Sequence, residues 1–124
     1  MKIALAQLNY RIGDIEVNTA KILAEIEKAK EQNVDIVIFS ELAVCGYPPK
    51  DLLDYPSFIE RCETALQLIC EATENVAVLV GGPAWSKLTK GKKLYNSAYF
   101  YADQKLVRRI DKTLLPTYDI FDEY

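Results

Sequence analysis

The sequence predicts an α/β fold, a parallel-type sheet with an antiparallel hairpin added, on the strength of three observations. Short runs dense in aliphatic residues alternate with longer stretches whose apolar residues recur every three or four positions. Those aliphatic runs carry few polar residues, as strands covered on both faces do. Near the C-terminal end, two further apolar-rich runs are separated by only a few residues, which is hairpin spacing.

Taken in order, Lys2 to Leu8 (KIALAQL) reads as a buried strand, and Asn9 to Asp14 carries turn chemistry around Gly13. Asn18 is placed to cap a helix in which Ala20, Leu23, Ile26 and Ala29 recur at three-residue steps beside Ile22; Gln32 and Asn33 end it. Asp35 to Phe39 (DIVIF) is a second strand. Ser40 to Asp54, with Gly46, Pro48 and Pro49, is loop-like. Ser57 followed by Glu60 forms a capping box. The helix it opens aligns Phe58, Ile59, Cys62, Leu66, Ile69 and Cys70 on one stripe and breaks at Asn75. Val76 to Val80 is a third strand closed by Gly81-Gly82-Pro83. Leu94 to Tyr101 and Lys105 to Ile110 are two more, joined by a tight turn at Ala102 to Gln104. Asp111 to Tyr124 is irregular, and no element follows to cover the last strands. That open edge predicts more protein beyond residue 124.

Half of the 124 residues are apolar and 27% are charged, a globular composition of at most one domain. The net charge is −3 and the basic residues are scattered, so nucleic acid is not an expected partner. Lys90, Lys92 and Lys93 around Gly91 read as a solvated hairpin tip. No apolar run approaches the roughly 20 residues of a membrane span, and Met1 leads directly into a strand, so no membrane partner is expected. Three cysteines without a secretory signal fit a reducing cytoplasm. With no histidine, this chain alone builds neither Ser-His nor Cys-His catalysis nor a His-ligated zinc site. No CxxC pair supports a metal, and none is expected.

Two residues stand out chemically. Glu41 follows directly on a buried strand, where α/β sheets place their ligands, and a carboxylate there suits a general base. A solvated loop glutamate fits its position equally well. Lys112 follows the last strand among Asp111, Leu114, Leu115 and Pro116, where a fixed cation suits an oxyanion; a surface lysine is the plainer alternative. Both follow strands of one layer, so the two side chains are expected to converge. Cys62 and Cys70, two helical turns apart on an apolar stripe, read as core. Cys45 lies close to Glu41 in sequence but reads as packing.

KIALAQLNYRIGDIEVN, VIFSELAVCGYPPKDLL and KTLLPTYDIFDE together resemble the nitrilase (carbon–nitrogen hydrolase) superfamily along essentially the whole chain. Within it they are similar to the glutaminase domain at the front of glutamine-dependent NAD+ synthetases. Glu41-Leu42-Ala43 is common to many relatives. Gly46-Tyr47-Pro48-Pro49 and Leu115-Pro116-Thr117-Tyr118 with Phe121-Asp122-Glu123 are more particular to that branch. Ser40 departs from the proline usual before the glutamate.

The resemblance implies that residues 1–124 are the N-terminal part of an αββα sandwich, truncated before completion, which works with a Glu-Lys-Cys triad. It implies Glu41 as general base, Lys112 as support for the tetrahedral intermediate, and Glu123 as a second glutamate positioning lysine or substrate. Tyr47, Tyr118 and Phe121 would line the glutamine pocket. The cysteine would come from a later strand end, so the fragment alone is expected to be inactive. Glutamine would be the substrate. ATP and Mg2+, with nicotinic acid adenine dinucleotide, would belong to a further domain, leaving no cofactor in this chain, and the full-length protein would be a cytoplasmic homo-oligomer. The alternatives are a free-standing amidase acting on a small amide and a non-catalytic scaffold.

Overall fold

The computed structural model describes residues 1–47, 49–85 and 94–112. Its elements are β1 (Ile3–Leu5), α1 (Ile15–Glu31), β2 (Ile36–Ile38), a 3-10 turn (Lys50–Asp54), α2 (Pro56–Glu71), β3 (Ala77–Trp85), β4 (Leu94–Ala102) and β5 (Lys105–Asp111). The strands form one five-stranded sheet in the order β1-β2-β3-β4-β5. β1, β2 and β3 are parallel, with Ile3 opposite Ile36 and Val37 opposite Val78. β3, β4 and β5 are antiparallel. The predicted α/β sheet with its hairpin is present.

Both helices contact each other, and their apolar stripes form one core with the sheet. Ile22 and Ile26 of α1, Ile59, Leu66 and Ile69 of α2, and Val37, Val78 and Val80 of the strands are all buried in it. Side chains alternate along a strand, so the neighbours of the buried valines face away from the helices. On that second face Ile3, Leu5 and Ile110 are exposed. Leu79, Ala98 and Phe100 beside them are half-buried. β1 is therefore an edge strand with one bare face, shorter and more exposed than the buried strand expected over Lys2–Leu8.

Three other expectations are corrected. The N-cap of α1 lies four residues before Asn18: it is Asp14, which accepts a hydrogen bond from the Val17 N–H at 3.2 Å. Gly13, at φ +79°, allows the chain to turn immediately before that cap. Asn18 lies inside the helix, fully buried. It accepts from the Arg11 N–H at 2.7 Å and donates to Arg11 O at 2.8 Å and Val44 O at 3.2 Å, tying two loops together. Helix α2 has no side-chain cap, because Pro56 at its first turn sets the helical φ one residue before Ser57. Its C-terminal turn ends at Glu71, and Asn75 sits beyond it at φ +66°.

The third correction concerns Gly81-Gly82-Pro83, which continues β3 instead of closing it. β2 pairs only as far as Leu79, so beyond that point β3 pairs with β4 and projects past its parallel neighbour. A proline is tolerated there, where no adjacent strand needs its N–H. The hairpin turn is as expected: Asp103 and Gln104 both have positive φ, the geometry of a tight two-residue connection between twisted strands. The Thr73 hydroxyl accepts the Gln104 N–H at 3.0 Å, anchoring that turn to the end of α2.

Candidate active site

At the carboxyl end of β2 the ladder continues one step, with the Phe39 N–H donating to Leu79 O at 2.8 Å, and then the chain turns sharply. The turn is made at Leu42, a non-glycine residue at φ +50°. Such a conformation persists only where the surroundings enforce it. Here Leu42 is fully buried, and its carbonyl accepts the Gly46 N–H at 2.9 Å. Gly81 makes room for this turn: a Cβ on it would lie 2.4 Å from Leu42 N. Glu41 is thus presented from a backbone held on several sides.

Lys112 leaves the end of β5. Its N–H donates to Asn96 O at 2.9 Å, a bond that extends the β4–β5 ladder by one step. On the helix-facing side of β5, Asp111 is fixed by the Ser97 hydroxyl at 2.5 Å and by Arg109 Nε at 2.9 Å. Lys112 points to the opposite side, where its Nζ lies 3.0 Å from Glu41 Oε1. Asn96 Nδ2 donates to the same Oε1 at 2.5 Å. The expected convergence of Glu41 and Lys112 is therefore observed, across 71 positions of sequence. Their side chains are 43% and 47% exposed, so the ion pair itself contributes little to stability.

These three groups line a cleft of about 360 Å³ whose apolar wall includes Leu79, Ala98 and Ile110. The cleft lies on the bare face of the sheet, at the carboxyl end of β2. A carboxylate, an ammonium and a buried amide at the rim of an apolar cleft can move a proton and stabilise a developing oxyanion.

The cysteines lie away from this cleft. All three are buried and free. The Cys45 thiol is directed at Leu42 O, 3.6 Å away. Its contact with Cys62, and then burial, push the Cys62 thiol far above the ordinary range; burial also raises Cys70. Neither of these two is poised as a thiolate. Tyr47 is exposed and does not line the cleft. Tyr118, Phe121 and Glu123 lie outside the described residues, as do Lys90, Lys92 and Lys93. Among the described residues, no cluster of three His, Cys, Asp or Glu is placed to hold a metal, and no helix is long and apolar enough to cross a membrane.

Sequence reasoning missed Asn96. The signal available was the polar pair Asn96-Ser97 inside an otherwise aromatic and aliphatic strand. Side chains alternate, so one of the two has to face each side of the sheet.

The carbon–nitrogen hydrolase profile matches residues 2–123. The chain belongs to the carbon–nitrogen hydrolase family. It is 46% identical over 125 residues to the glutamine-dependent NAD(+) synthetase of Synechocystis sp., covering 98% of this chain and 22% of that protein. It is 39% identical over 126 residues to the synthetase of Aquifex aeolicus, covering 100% of this chain and 21% of that protein. The chain thus spans about a fifth of the length of these relatives. Among solved structures, the glutamine-dependent NAD+ synthetase of Acinetobacter baumannii superposes with a TM-score of 0.84 at 34% identity, over 97% of this chain and 22% of that one. An amidase from Nesterenkonia sp. superposes at 0.74 and 19% identity, over 94% of this chain and 44% of that one, a likeness of fold alone.

Proposed function

We propose that this chain is the front part of a glutamine-hydrolysing domain that supplies ammonia for NAD+ synthesis in a longer cytoplasmic protein. The observation that carries this reading is the 3.0 Å contact between Glu41 and Lys112 at an open cleft, formed by residues 71 positions apart. The 46% identity to a glutamine-dependent NAD(+) synthetase supports the choice of substrate.

In this reading a cysteine from a segment outside these 124 residues attacks the glutamine amide carbon. Glu41 takes the thiol proton and delivers it to the amide nitrogen of the tetrahedral adduct, whose C–N bond breaks to release ammonia and leave a thioester. Glu41 then takes a proton from water, whose oxygen adds to the thioester carbon; the C–S bond breaks, glutamate is released, and Glu41 returns the proton to the cysteine sulfur. Lys112 holds positive charge near the carbonyl oxygen as it becomes an oxyanion. Glu123 positions the lysine or substrate, and Tyr118 and Phe121 contribute to the glutamine pocket; Tyr47, outside the cleft, has no part in it. ATP, Mg2+ and nicotinic acid adenine dinucleotide act in another domain, which uses the ammonia. The full-length protein assembles as a homo-oligomer, and the 124-residue chain alone is inactive. The test compares NAD+ formation from glutamine and from free ammonia in the full-length protein, with and without Lys112.

A further inference from the structure

We propose that Asn96 is a positioning residue for Glu41, one that sets which carboxylate oxygen takes the proton. The inference rests on the glutaminase reading above and goes beyond its triad.

Glu41 is a loop side chain, nearly half exposed, and Lys112 reaches it on a long flexible stem. Such a pair does not define one geometry by itself. Asn96 differs in each respect. It sits within β4, is only 5% exposed, and carries a planar amide with two side-chain torsions to fix. Its Nδ2 donates to Glu41 Oε1 at 2.5 Å, the same oxygen that accepts Lys112 Nζ at 3.0 Å. With both donors on Oε1, proton transfer falls to Oε2. The backbone carbonyl of Asn96 also accepts the Lys112 N–H at 2.9 Å. One buried residue therefore grips both members of the pair.

Ala98 and Phe100, on the same face of β4, are apolar, so packing alone gives no reason for an amide at position 96. A buried amide is favourable only while its hydrogen bonds are made. Among the described residues, the charged side chain that Asn96 hydrogen-bonds is Glu41, with the Lys112 ammonium on the same carboxylate oxygen. Arg109 and Asp111 bind each other on the opposite side of β5.

The test uses the full-length protein and two variants. Asn96→Leu keeps the branched shape and heavy-atom count and removes the donor. Asn96→Asp keeps the shape and puts an acceptor against Glu41. Each should lower kcat for glutamine about ten- to a hundred-fold, the effect of losing a hydrogen bond to a charged group, with little change in KM. NAD+ formation from free ammonia should hold its wild-type rate. As pH falls, Asn96→Asp should recover relative to wild type, because the new carboxyl takes up a proton and donates again. The Asn96→Leu ratio should stay flat. Should Asn96→Leu fail to fold, Asn96→Asp carries the test by itself.

Wild-type kcat in both variants, equal loss of glutamine-fed and ammonia-fed rates, or a pH-independent Asn96→Asp ratio would each overturn the proposal. If the wild type splits other small amides and not glutamine, and both variants slow that reaction as described, the glutaminase reading fails and the role of Asn96 stands. A wild type that splits no amide overturns both.

Discussion

Replacing Gly81 by alanine places a methyl group against the backbone that presents Glu41. Built on the existing chain, its Cβ lies 2.4 Å from Leu42 N, 2.9 Å from Ser40 O and 3.0 Å from the Glu41 carbonyl carbon. All three are main-chain atoms, so no rotamer change relieves the contact. Ordinary contact begins at 3.4 Å, and the loop must retreat by about 1 Å. The Val44 N–H to Gly81 O bond, already 3.4 Å, goes with it. Overpacking of this kind costs about 1–3 kcal/mol, which for a chain of this size lowers Tm by roughly 3–15 °C. A catalytic group displaced by about 1 Å loses on the order of a hundred-fold in rate. Gly82→Ala is the control: the three atoms nearest its Cβ all belong to the Leu66 side chain, the first at 3.1 Å, and a side chain can turn aside. It should cost under about 1 kcal/mol and leave the glutamine-fed rate within a few-fold. Thermal unfolding of the purified chain and glutamine hydrolysis by the full-length protein read the two effects. A Gly81→Ala protein with unchanged Tm and rate, or a Gly82→Ala protein equally impaired, would refute the reasoning.

Asn18→Ala removes three hydrogen bonds that join the Arg11 and Val44 backbones to α1 and leaves the buried Val44 carbonyl without this donor. Urea unfolding should show a loss of about 2–3 kcal/mol, and a loss below about 0.5 would mean that water replaces the amide without penalty. The Tyr99 hydroxyl donates to Pro83 O at 3.0 Å, and burial pushes its pKa up to about 12 from 10.0. The neutral form is favoured in the fold, so this contribution is fully present below pH 10.0 and is lost as pH rises toward 12. Tyr99→Phe should cost about 1 kcal/mol at neutral pH and flatten the alkaline loss, which Tyr10 and Tyr101 share. An alkaline unfolding curve of unchanged shape, followed by tyrosinate absorbance, would contradict that account.

Local pattern made most of the fold legible. The stripe from Phe58 to Cys70 buries the residues its period assigns, because burial on one face is what selects that period. The run from Asp35 to Phe39 is a strand as its composition suggests, but only Val37 and Phe39 are buried; Ile36 and Ile38 are half-buried on the bare face, so the expected cover on both faces is not seen. Features decided by tertiary contact were not legible. Gly81-Gly82-Pro83 has the composition of a turn. It is a strand because β4 pairs with it and because the Glu41 turn occupies the space a Cβ would fill. Asn18 has the chemistry of a cap, yet Asp14 caps and Asn18 bridges two loops from inside the helix. At the site, Glu41 and Lys112 were visible as residues just past strand ends, in motifs the family shares. Asn96 was not, because its partner is set by the register of β4 with its neighbours, which no local spacing encodes.

The account stands or falls on what Lys112 does. In the full-length protein, Lys112→Ala should reduce NAD+ formation from glutamine while leaving formation from free ammonia near its wild-type rate. Loss of one preorganised oxyanion partner costs on the order of 3–4 kcal/mol, or a few-hundred-fold in rate, and more if the lysine also helps activate the thiol. Under the proposed function the ammonia-fed reaction takes place in another domain and does not use the amide-cleaving cleft. Selective loss of the glutamine-fed rate is the predicted result. Equal loss of both rates would show that Lys112 holds the fold or a domain contact together, and would contradict its place in the chemistry.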